Sequence, residues 1–131
     1  MTEPPNGNTP NLRLLHGFLV WVLAWWSFVL AMPGETFGKN PKLYYLFTTI
    51  MTEDEWAFAL GVAAILGALG IKFQLIRLAS IHLLCSVHFL IAALLFIPNP
   101  IGTGSGVYAG LSVAGYYLLW RQRHPKVKTN V

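Results

Sequence analysis

The side chains best equipped for chemistry lie together in "SIHLLCSVHF", residues 80–89, which carries His82, Cys85, Ser86 and His88. A further histidine, His16, stands apart near the N-terminus. Imidazole and thiolate ligate metals and haem, and histidine also exchanges protons near neutral pH. His82, Cys85 and Ser86 are three and four residues apart, a spacing that puts them on one helical face. His88 is turned about 120° from His82, so these two histidines do not build one site. A haem with two axial histidines needs one from each of two helices at matched depth, and His16 with His82 meets that condition. No second pair and no carboxylate within the apolar runs completes a haem or metal set. A proton or ion path is the other use of buried ionisable groups, but it lacks a buried Asp, Glu, Arg or Lys. The expectation is therefore no cofactor and no metal. The histidines then act as polar glue: His88, at the depth of Trp21, accepts a hydrogen bond from an indole, a cross-helix contact of about 0.6 kcal/mol.

The segments that must position these residues are apolar. The chain has 131 residues, 55% hydrophobic and 11% charged, against about 25% charged in an ordinary soluble domain. Four uncharged runs stand out: Leu14–Met32, Trp56–Ile71, Leu78–Ile97 and Ile101–Trp120. Roughly 18 apolar residues suffice to cross the hydrocarbon core, and the second run is the shortest. Lipid offers the backbone no hydrogen-bond partner, so each run must be a helix. The expected fold is an all-α, integral membrane four-helix bundle, up-down-up-down. One membrane domain, residues 12–120, lies between a disordered polar tail, 1–11, and a basic cytoplasmic tail, 121–131.

Charge orients the bundle. Arg13, Lys72, Arg77, Arg121, Arg123, Lys126 and Lys128 fall on one side of alternating spans, and only Lys39 and Lys42 on the other. The positive-inside bias then places both termini in the cytoplasm, with the cell inner membrane as location. The basic residues are spread along the chain rather than clustered, so no nucleic-acid partner is expected. A cleavable signal peptide is the rival reading of the first run, but that run is longer than a signal core of roughly 7–15 residues. The single cysteine forms no internal disulfide.

Between the first two spans lies the only sizeable extramembrane piece. Asn40 and Pro41 open a short amphipathic interfacial helix whose apolar face is Leu43, Leu46, Phe47 and Ile50. Thr52 and Glu55 have the spacing of a capping box at the start of span two, where acids suit the positive helix end. Small residues recur every four positions, at Ala59, Ala63 and Gly67 and again at Gly102, Gly106, Gly110 and Ala114. Such strips let membrane helices approach closely, and here we expect them to meet inside one chain. Trp56, Tyr116, Tyr117 and Trp120 sit near span ends as interface anchors.

The runs "WVLAWWSFVLAMPGETFGKNPKLYYLFTTIMTEDEWAFALGVAAILG" and "HFLIAALLFIPNPIGTGSGVYAGLSVAGYYLLW" resemble small four-span membrane proteins encoded by tailed phages and prophages. The shared features are a Trp-rich first span, the turn at Gly34–Phe37, an aromatic loop, Trp56 opening span two, and an Asn-Pro turn before a Gly/Tyr span. The resemblance implies holin-like permeabilisation or modification of the host bilayer, and transfers no catalytic residue. No nucleophile–base pair or phosphate loop appears, so no enzyme is expected. The expected partners are the lipid bilayer and either further copies of the chain or another membrane protein, which the chain would regulate. A small channel or a haem redox carrier ranks below these.

Overall fold

The computed structural model describes residues 10–124. In chain order its elements are α1 (Pro10–Ala31), α2 (Thr36–Lys39), α3 (Tyr45–Ile50), α4 (Glu53–Lys72), α5 (Gln74–Phe96) and α6 (Thr103–Arg123), with no strand among the described residues. Three helices are long and apolar enough to cross a membrane: α1 from Asn11, α4 and α5. They give the chain the character of a membrane protein. The fourth expected run forms α6, which has the length, 21 residues. Its Gly, Ser and Thr content dilutes its apolarity, and it is not among those three.

The long helices form a ring in which α1 packs on α4, α4 on α5, α5 on α6 and α6 back on α1. Ser27 donates to the Ala57 carbonyl at 2.7 Å, and a Cβ added to Gly67 would lie 2.8 Å from Val20 Cγ2. These two levels make α1 and α4 antiparallel. Gly70 faces Ser80 so closely that an added Cβ would collide with the serine hydroxyl. Ser112 donates to the Cys85 carbonyl at 3.3 Å across α5 and α6. Leu19, Leu23, Ile81, Leu84, Ile91 and Leu118 fill the centre and are fully buried.

Several boundaries differ from expectation. Pro10 and Asn11 belong to α1 rather than to a tail, since proline suits a first helical turn. Residues 1–9 lie outside the described residues. Arg121 and Arg123 continue α6, and His124 caps it. The rest of the basic tail, with Pro125, lies outside the described residues. The connector "KFQLIR" is almost wholly helical: only Phe73 separates α4 from α5. Arg77 makes so short a link workable. Its Nε donates to the Gly70 carbonyl at 3.3 Å and its Nη2 to that of Ile71 at 3.5 Å. These are end-of-helix carbonyls that the next turn would otherwise have satisfied.

The single interfacial helix is instead two short helices. Asn40 ends α2, and its Oδ1 accepts from the Leu43 amide at 3.4 Å. That side-chain turn competes with helix over 40–44, so α3 begins only at Tyr45. The capping box is present as expected: Thr52 accepts from the Glu55 amide, and Glu55 accepts from that of Thr52 at 2.8 Å.

Candidate functional site

Helix periodicity decides which side chains face inward. On α5, Ile81, Leu84, Cys85, His88 and Ile91 are buried, whereas His82 and Ser86 are exposed. Cys85 and Ser86 are about 100° apart on a helix, enough to straddle the edge of the core. The expected shared face of His82, Cys85 and Ser86 is therefore split. His16 is buried and His82 points outward, so the two do not face each other as an axial pair. Among the described residues no three metal-ligating side chains converge.

His88 is fully buried, and its Nδ1 lies 2.7 Å from the Leu84 carbonyl. A carbonyl only accepts, so Nδ1 carries the proton and Nε2 keeps its lone pair. Among the described residues that Nε2 has no hydrogen-bond partner, and neither does Nε2 of His16. The expected indole bond from Trp21 does not form, because Trp21 is exposed on the outer side of α1. The inward tryptophan is Trp26, five positions on and so turned by about 140°. Its ring meets Tyr108 edge-on at 5.5 Å, and Tyr108 in turn lies along His88 at 6.1 Å. His88 thus joins α5 to α6 by ring packing and makes its hydrogen bond within its own helix.

The small-residue strips divide in the same way. On α4, Ala63 and Gly67 are buried and Ala59 is half-buried. On α6, Gly106 and Gly110 are exposed, and a Cβ on either would meet nothing within 4 Å; Gly102 and Ala114 are half-buried. The expected intrachain role for that strip fails. Strict four-residue spacing drifts about 40° per step around the helix, so it leaves the packed face. The face that packs on α5 is Ser105, Tyr108, Ser112, Gly115 and Leu119, spaced alternately by three and four. A Cβ on Gly115 would lie 2.5 Å from Cys85 Sγ. That alternating spacing was the available signal for Gly115.

At the end of the ring where α1 meets α4, an aromatic cap closes the bundle. Gly34 turns the chain with φ +145°, a conformation suited to glycine. Glu53 accepts from the Thr36 amide at 2.8 Å and the Phe37 amide at 3.2 Å, tying α2 to the head of α4. The acids at 53–55 have the placement of helix-end charges, and Glu53 serves in addition as this strap to residues distant in sequence. Phe37, Phe47 and Trp56 are buried. Trp56 Nε1 donates to the Phe47 carbonyl at 3.0 Å. Trp56 is therefore a core residue of the cap rather than an outward anchor. Tyr116, Tyr117 and Trp120 do face outward near the other end. Burial, and secondarily the charge of Glu53, raise the Tyr44 phenol above its ordinary range. A cleft of about 580 Å³ opens beside the strap, lined by Leu30, Met32, Phe37, Thr48, Glu53 and Asp54.

No protein family, curated protein or solved structure matches the chain.

Proposed function

We propose that this is a four-span inner-membrane protein, up-down-up-down with both termini in the cytoplasm, that self-associates in the bilayer and permeabilises or remodels it in the manner of a phage holin. The observation that carries this reading is the outward glycine face of α6. Gly106 and Gly110 leave a shallow strip on which an added Cβ would meet nothing within 4 Å among the described residues. Small residues favour close helix approach in lipid, where apolar side chains alone give little drive to associate. The likeness to small phage-encoded membrane proteins, the outward apolar side chains of α1, α4 and α5, and the uneven basic residues all support it. The reading needs no cofactor and no catalytic step.

The test is induced expression in bacteria with a potential-sensitive dye. Wild-type protein should depolarise the membrane, and Gly110→Leu should insert normally and fail to do so. An inserted wild-type protein that leaves the potential intact overturns the permeabilising role. The second reading is an interaction module that regulates another membrane protein. The strapped cap and its cleft favour it, being a shaped surface outside the spans. Normal growth with a stoichiometric co-purifying membrane protein would select it.

A further inference from the structure

The outer face of α1 carries a longer ladder of rings than the other outward faces, of which α6 has the three-ring series Tyr117, Trp120 and His124. Leu14, Phe18, Trp21, Trp25, Phe28 and Met32 are 48–75% exposed. Their spacing alternates four and three without a break. The four rings form a ladder, with successive centroids 6.1, 6.2 and 5.8 Å apart. Beside them, at intervals of seven, stand Gly17, Ala24 and Ala31. A Cβ on Gly17 would meet nothing within 4 Å, and Ala24 and Ala31 are exposed. Large knobs thus alternate with small hollows in each heptad.

We infer that this face is a parallel, two-fold contact between two copies of the chain. A repeat of 3.5 residues is the one that keeps two helices in register along a left-handed supercoil, each knob entering a hole on its neighbour. Copies inserted in the same sense, related by an axis along the membrane normal, bring α1 beside α1 with equal residues at equal depth. The surface therefore meets itself, ring against hollow. An aromatic side chain offers roughly 150–250 Å². Half-exposed, the six seam residues together present on the order of 600 Å² per copy, above the roughly 400 Å² per partner of incidental contacts and near the roughly 800 Å² of stable ones. By contrast, the outward residues of α4, among them Phe58, Val62, Ile65 and Leu69, are mostly aliphatic. This inference rests on the self-association proposed above and names a different face from the α6 strip.

The experiment is disulfide scanning in native membranes, in a Cys85→Ala background, with a copper–phenanthroline oxidant. Single cysteines replace Phe18, Trp21, Trp25 and Phe28 on the seam, Gly110 and Val113 on α6, and Phe58 on α4. All are exposed positions, so folding is little disturbed. Seam positions should give several-fold more cross-linked dimer than Phe58→Cys, and Gly17→Leu should reduce that yield several-fold. Seam yields no higher than that of Phe58→Cys overturn the inference. If Gly110→Cys or Val113→Cys then cross-links strongly, self-association survives without this seam. If no position cross-links, both readings fall.

Discussion

Gly115 and Gly110 lie on the same helix, five residues apart, and the structure assigns them opposite consequences. Replacing either with alanine gains helix propensity worth up to about 1 kcal/mol. At Gly110 nothing opposes the gain, because the new methyl meets nothing within 4 Å. At Gly115 the methyl would lie 2.5 Å from Cys85 Sγ, with Leu19 Cδ1 at 3.4 Å closing the other side. Unstrained heavy atoms sit about 3.5–4.0 Å apart. Cysteine has no long side chain to swing aside, so α5 and α6 must separate by a fraction of the roughly 1 Å shortfall. Overpacking of this kind costs about 1–3 kcal/mol. The propensity gain is common to both sites and cancels in the comparison. Gly115→Ala should therefore be about 1–3 kcal/mol less stable than Gly110→Ala. Reversible unfolding in mixed detergent micelles, followed by circular dichroism, measures the difference. Adding Cys85→Ala should recover most of it, since the two residues touch and their effects must couple. Equal stabilities for the two variants, or no rescue by Cys85→Ala, would refute the packing argument.

Trp56→Phe removes the bond to the Phe47 carbonyl but leaves that carbonyl bonded to the Met51 amide at 3.1 Å. The loss in the same unfolding assay should be that of a net hydrogen bond, about 0.5–1.5 kcal/mol, rather than that of an orphaned acceptor. His88→Leu should be neutral or stabilising, because it deletes an unpartnered buried Nε2 while the helix itself still bonds the Leu84 carbonyl; a loss like that of a large-to-small core change would assign the imidazole a role beyond packing. Burial holds the Tyr44 phenol above the ordinary tyrosine range. A folded-state pKa raised above the unfolded one stabilises below the unfolded value, and that contribution disappears as pH rises through the folded value. The cap should thus loosen above about pH 10, seen as exposed tyrosinate absorbance, and Glu53→Gln should move the Tyr44 titration downward by removing its second cause.

The extent to which the sequence exposed this architecture depends on which signal each segment carried. Helices α1, α4 and α5 were legible because unbroken apolar runs leave the backbone no other choice in lipid. The capping box at Thr52 and Glu55 was legible because its two bonds are local. The direction of each face was not. In a helix that is apolar all round, hydrophobicity does not separate core from exterior, so Trp21 and Trp26 look alike until their neighbours are known. The α6 strip was chosen by a four-residue repeat, whereas packing followed the alternating three-and-four spacing that selects Gly115. Glu53 was assigned a local electrostatic role because its partners, the Thr36 and Phe37 amides, are distant in sequence. Trp56 stands in the first turn of α4, but whether a tryptophan there faces outward or inward depends on α3, which covers it.

The one-residue link at Phe73 leaves no slack between two of the most apolar rods in the chain. For two rods so joined to cross a bilayer, they would enter it together rather than one long after the other. A spacer of flexible residues placed at that corner would uncouple their entry and make the order of assembly visible.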